Sequence, residues 1–174
     1  MKRLFTYFVF LALSACASVP VEGLVTDLNL PGWKVGYQRD FGAGLGYIRE
    51  FVPAGETIDD WSKLVSIEFV EGERRTPLEF IHAFHEERKK LCPATKFQVL
   101  ETDRYSVTYL FNFPDCEEHE MQSELSRIYA GNDGLHRLSY AEKSEELPES
   151  TIKQWLSEFD SSYIAKGSEK TPIR

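Results

Sequence analysis

The chain has 174 residues and a formal net charge of −8, from 28 acidic and 20 basic side chains. That length suits one domain with a substantial hydrophobic core. The acidic balance excludes nucleic-acid binding through the phosphate backbone, which needs clustered Lys and Arg, and charge alone does not hold such a chain on an anionic leaflet.

The first element is Met1-Lys2-Arg3 followed by an apolar run from Leu4 to Ala15. It is too short to span a bilayer, which takes about 20 apolar residues. A charged start, a short apolar stretch and small residues at its end form the pattern of a secretory signal peptide over residues 1–15. The segment is apolar all round, unlike the amphipathic helix of a soluble domain. It ends Leu13-Ser14-Ala15-Cys16, which resembles the lipobox of bacterial lipoproteins. The resemblance implies that Cys16 becomes the first mature residue and carries a diacylglycerol, usually with a third acyl chain on its amino group. Two or three chains anchor a protein stably, at about 0.8 kcal/mol per buried methylene. The residue after the cysteine is Ala17 rather than Asp. By resemblance this places the anchor in the periplasmic face of the outer membrane of a Gram-negative cell. Loss of Lys2 and Arg3 with the signal peptide shifts the net charge to about −10.

Residues 16–32 read as the lipidated N-terminus and a tether ending in a Pro-Gly turn. A flexible coil of that length spans roughly 20 Å, and its apolar residues (Val21, Leu24, Val25, Leu28, Leu30) are able to dock back. A single domain is expected over 33–167, with 168–174 as a flexible tail. "WKVGYQRD" and "LGYIREFVP" predict a hairpin across "FGAG", where Gly42, Gly44 and Gly46 supply backbone freedom. A phosphate loop is excluded, because no Lys-Ser/Thr follows and the next segment is a strand. "WSKLVSIEFVEG" predicts a third strand, with Val65, Ile67 and Phe69 on one face and Ser66 and Glu68 on the other. "TPLEFIHAFHEERKKL" predicts a helix with Thr76 as N-cap, Pro77 at its first position and Glu79 closing a capping box. Its stripe is Phe80, Ile81, Phe84 and Leu91.

"KFQVLE" and "RYSVTYLFNF" predict a second hairpin, with Tyr105, Val107, Tyr109, Phe111 and Phe113 alternating. "EMQSELSRIYA" and "LHRLSYAEKS" form a third, turning at "GNDG". "PESTIKQWLSEFDSSYIAKG" predicts a final amphipathic helix. It carries Ile152, Trp155, Leu156, Phe159 and Tyr163 and is capped by Gly167. The order β-β-β-α-β-β-β-β-α predicts an α+β fold. Its antiparallel sheet of six to seven strands is covered by two amphipathic helices. This order is similar to that of the Mog1/PsbP-type α/β fold, a resemblance of element order over about 130 residues.

With Cys16 taken by lipid, Cys92 and Cys116 form an even pair in an exported chain, where disulfides persist. The absence of Cys-x-x-Cys spacing argues against a redox or metal role. The candidate metal ligands are His82, His85 and Glu86 on the first helix and His119 in the acidic stretch "DCEEHE". The two helix histidines are three apart rather than the four of the zincin motif, so the simpler reading is one boundary and one surface histidine. No nucleophile elbow is present, and neither a catalytic residue nor a cofactor is expected. Trp33, Tyr37, Tyr105, Tyr109 and Phe111 are candidates to line an apolar cleft, or else to fill the core. The expected role is a non-enzymatic binding or assembly module of the cell envelope, with an envelope protein as partner. A carrier or sensor of an apolar small molecule, and an acidic inhibitor of a basic toxin or lysozyme, are the alternatives. Oligomeric state is not readable from the residues.

Overall fold

The computed structural model describes residues 22–116 and 120–166. Cys16, the signal peptide, His119, Gly167 and the 168–174 tail lie outside the described residues. The elements run β1 (Glu22–Val25), β2 (Trp33–Asp40), β3 (Tyr47–Pro53), β4 (Lys63–Glu71), α1 (Pro77–Leu91), β5 (Lys96–Thr102), β6 (Ser106–Phe113), β7 (Gln122–Ala130), β8 (Gly134–Glu142), α2 (Glu149–Ser161) and β9 (Tyr163–Lys166). Strands β2 to β8 form one antiparallel sheet in the order β2-β3-β4-β8-β7-β6-β5, and β1 pairs with β9 in a second sheet. The fold is therefore α+β, and the order of the seven main strands and two helices is the expected one.

The register separates two faces. On one, Val107, Tyr109, Phe111 and Phe113 of β6 pack with Ile128, Leu135 and Ile81 of α1. On the other, Phe51, Val65, Ile67, Leu125, Leu138 and Tyr140 pack with Trp155 and Phe159 of α2. The helices thus cover opposite faces, and the central strands β4, β7 and β8 are buried on both. That is why Ser66, Ser126 and Ser139 are buried although they alternate with apolar residues. Small hydroxyls fit a doubly covered strand that one-sided alternation does not describe.

Local chemistry explains both helices. Thr76 Oγ1 accepts from the Glu79 N–H while Glu79 Oε2 accepts from the Thr76 N–H, so the capping box is complete. Arg88, Lys89 and Lys90 sit in the last turn of α1, where the helix dipole is negative. On α2, the Phe159 carbonyl accepts from the Tyr129 hydroxyl at 2.8 Å. Arg127, from β7, donates to Asp160 at 2.6 Å, to Thr108 at 2.6 Å and to Glu101 at 3.0 Å. A single guanidinium therefore ties α2 to β5 and β6.

Three expectations need correction. The domain takes in residues from Glu22 on rather than from residue 33, and the segment docks back as its apolar residues allow. Glu22–Val25 is a strand, and Leu24 and Leu28 are buried in the α2-side core, because that face would otherwise expose apolar surface. The final helix stops at Ser161. Tyr163 belongs to β9 and is exposed, since the chain turns extended at Ser162, whose N–H bonds the Phe159 carbonyl. Leu91 is exposed at the end of α1 rather than on its core stripe.

Cys92 caps α1 and is bonded to Cys116, just past β6, closing a separation of 24 residues. The bridge staples helix to sheet, as expected. By loop-closure entropy it contributes about 3.5 kcal/mol. A Cys92→Ser/Cys116→Ser double variant is expected to lose stability of that order in urea unfolding. An unchanged midpoint would show that the bridge does not constrain the unfolded chain.

Candidate functional site

The site is built where β1 crosses the α2-side face of the sheet near the β2–β3 turn. A cavity of about 260 Å³ lies there. Its walls are Leu24 of β1, Tyr47 of β3, and Ile67 and Phe69 of β4, and the turn residues Gly42, Ala43 and Gly46 roof it. Ligand pockets run upward from about 300 Å³, so this one suits a small ligand or one apolar limb of a larger one. The turn is pinned by two carboxylates. Asp40 Oδ1 accepts from the Gly42 N–H at 2.9 Å, and Glu71 Oε2 accepts from the Gly44 N–H at 2.8 Å. Gly46 has φ +98°, and a Cβ there would meet the Phe69 carbonyl oxygen at 1.9 Å. Only glycine lets the roof approach β4 this closely.

The floor depends on Glu22. Its side chain is fully buried. The carboxylate accepts the N–H groups of Asn132 (2.8 Å) and Asp133 (2.7 Å) in the β7–β8 turn and faces His136 Nε2 at 3.4 Å. In return, the Glu22 N–H reaches Asp133 Oδ2 at 3.4 Å. A Cβ on Gly131 would lie 1.8 Å from Glu22 Oε1, so glycine makes the room for the carboxylate. His136 is itself fully buried, and its ring stacks on Phe69 at 4.4 Å. The clamp therefore reaches the pocket wall through one ring.

Burial by itself would raise the Glu22 carboxyl. The Asp133 and Asn132 N–H groups and His136 outweigh it and hold the group below the ordinary carboxylate range. Burial lowers His136, and Glu22 opposes that only in part, so the imidazole is neutral and Nε2 carries the proton toward Glu22. Arg49 also lines the pocket. Its guanidinium lies over the Tyr47 ring at 5.8 Å, and burial raises the Tyr47 phenol.

A protein-family model matches residues 37–166. The chain belongs to that family. The matched stretch includes the glycine turn, Tyr47, Arg49, Ile67, Phe69 and the Gly131–Gly134 turn, whereas β1 lies outside it. No curated protein and no solved structure matches the chain.

Of the two readings of the aromatics, filling the core holds for Tyr109 and Phe111, and no common cleft brings the five residues together. Tyr109 and Phe111 are buried under α1, and Trp33 packs at the margin of the α2-side core. Tyr37 lies on the edge strand β2, and Tyr105 is exposed in the turn before β6. These five residues are divided between two faces and two edges of the sheet. His85 lies tilted against Phe97 at 4.7 Å, and burial lowers its imidazole; His82 meets Phe97 at 5.9 Å. Both histidines pack α1 onto β5, and Glu86 is exposed. Among the described residues, no group of three or more His, Cys, Asp or Glu is arranged to hold a metal ion. The residues that reading the chain missed are Glu22, His136 and Arg49. The glycine-rich turn was a visible signal, but nothing near Glu22 marks its carboxylate as buried.

On the α1 side, Arg137 donates to Glu68 at 2.5 Å and to Glu124 at 3.0 Å. Burial, with Glu68 nearby, raises the Glu50 carboxyl, which accepts from Ser66. This network satisfies charges beneath the sheet-covering helix and encloses no cavity of its own among those described.

The clamp predicts acid lability, with the sign set by both groups. Glu22 has a lowered folded value, so its contribution is full above about pH 4.5 and is lost as pH falls through that lowered value. His136 is also lowered, so its contribution is full above about pH 6.5 and declines below it. Glu22→Gln is expected to cost about 1–3 kcal/mol at neutral pH. In urea unfolding across a pH series, its gap from the parent should narrow below about pH 4.5. A gap independent of pH would show that Glu22 is not held as a carboxylate.

Proposed function

We propose that this chain is an exported, lipid-anchored binding module of the cell envelope that holds an apolar small molecule, or the apolar limb of a larger one. The observation that carries the reading is the cavity of about 260 Å³ walled by Leu24, Tyr47, Ile67 and Phe69. Burying a ligand against such side chains is favourable at about 25 cal/mol per Å² of apolar surface. The charged groups around it act in structure: Glu22 and Glu71 accept backbone N–H groups. The arrangement therefore supports holding a ligand rather than transforming one. Among the described residues, no helix is long and apolar enough to cross a membrane. In this reading attachment is through acylated Cys16, at the end of the Leu13-Ser14-Ala15-Cys16 motif. A Cys16→Ser variant separates anchoring from the fold.

The test is a titration with 1-anilinonaphthalene-8-sulfonate, alongside native mass spectrometry for a co-purifying ligand. The parent should bind the dye at one saturable site. Ile67→Trp fills the cavity from β4, and Ala43→Trp blocks it from the exposed turn without touching the core. Each is expected to weaken binding at least tenfold, a loss of about 1.4 kcal/mol or more, with far-UV circular dichroism and the urea midpoint unchanged. Undiminished binding by a folded Ala43→Trp variant would contradict the assignment.

A further inference from the structure

We infer that the β2–β3 turn is a membrane-contacting tip, and that the pocket opens toward the leaflet holding the lipid anchor. The inference rests on the lipid-anchored reading above and adds a surface to it. The first observation is exposed apolar surface on the turn itself. Phe41 is 43% exposed and Leu45 is 62% exposed, and both flank the glycines that roof the pocket. Two large apolar side chains exposed on one short, rigid turn are suited to entering an acyl boundary. The rigidity is visible in the hydrogen bonds Phe41 N–H to Gly46 O, Leu45 N–H to Gly42 O and Gly44 N–H to Glu71. The tip is thus presented in one shape.

The second observation is independent and concerns chain length. Cys16 precedes Glu22 by six positions, and an extended residue spans at most about 3.6 Å. The N-terminal end of β1 therefore lies within about 20 Å of the lipidated sulfur. That same end lines the pocket opposite the turn: Glu22 and Gly23 share the cavity with Gly42, Ala43 and Gly46. The anchor confines this edge of the domain, rather than the α1 side, to the neighbourhood of the bilayer.

The third observation is the charge at the base of the tip. The Arg39 guanidinium lies over the Phe41 ring at 5.3 Å, and that of Arg49 lies over Tyr47 at 5.8 Å. A cation at the base of an apolar tip meets headgroup phosphate while the rings and methyls enter the acyl boundary. Asp40 and Glu71 pin the same turn, so the two arginines bring the tip to about neutral in a chain of net charge −8. A lipid leaflet satisfies all three observations, and the pocket then lies where an apolar molecule would leave or enter the bilayer.

The experiment uses the full, lipidated chain reconstituted into phosphatidylcholine vesicles. An environment-sensitive nitrobenzoxadiazole probe is placed at Leu45→Cys or, as the control, at Leu91→Cys. Leu91 is 61% exposed at the end of α1, on the opposite face of the sheet. Flotation reports the anchor, and emission reports the tip. The expected result is that both labelled proteins float, while only the probe at position 45 shifts to the blue and is quenched by brominated acyl chains. Adding Phe41→Asp, at an exposed position, should abolish that shift and leave flotation intact. Flotation with equal emission at 45 and 91 would overturn the membrane tip and leave the anchor standing. Failure to float would overturn both.

Discussion

The burial of the Glu22 carboxylate is the constraint on which the pocket depends. A lone buried carboxylate is costly, and here it is offset by two backbone N–H groups and a neutral imidazole. This pairing fixes β1 against the β7–β8 turn, more than a hundred residues away in sequence. Without it, only the apolar burial of Leu24 and Leu28 would hold β1 on the α2-side core, and one wall of the cavity would be less firmly fixed. The β1–β9 pairing from Glu22↔Lys166 to Val25↔Tyr163 then holds the two ends of the described domain together. A short two-stranded ribbon is marginal alone. It persists because a charge clamp at one end and apolar packing along its length act together.

The seven-stranded sheet is the platform for this arrangement. Its two faces serve different purposes. The α1 side is closed by aromatics, by the disulfide from Cys92 to Cys116 and by the Arg137 network. The α2 side is closed over β7 and β8 by Trp155 and Phe159, while nearer the β3 and β4 end the task passes to β1 and the glycine turn. The cavity lies where helical cover ends and strand cover begins. Covering a twisted sheet with elements of different width leaves such a gap, and here the gap is lined by side chains suited to an apolar guest.

Most of the architecture was legible in the chain because its signals are local. Alternation in β6, the Thr76 to Glu79 capping box and the Gly131 to Gly134 turn each act within a few residues. The failures have equally physical causes. β1 and β9 have four residues each, too few for a period, and their pairing is non-local. Tyr163 follows Phe159 by four positions, so helical spacing continues past the point where Ser162 has already ended the helix. The choice between an aromatic cleft and an aromatic core stayed open because alternation identifies a face but not what covers it: Tyr109 and Phe111 face α1 rather than a void. Glu22 was invisible because an acid in a segment that reads as a tether is ordinarily solvated, and its partners lie at Asn132, Asp133 and His136.

The central claim is that β1 is a clamped wall of the site rather than part of a loose tether. Amide hydrogen exchange on the full chain at neutral pH tests it most directly. If the clamp holds, the β1 amides that bond to β9 and the Asn132 and Asp133 amides exchange slowly and in step, since one opening event frees them all. Exchange of the β1 amides at the rate of an unstructured peptide, with those of β4, β7 and β8 still protected, would contradict it.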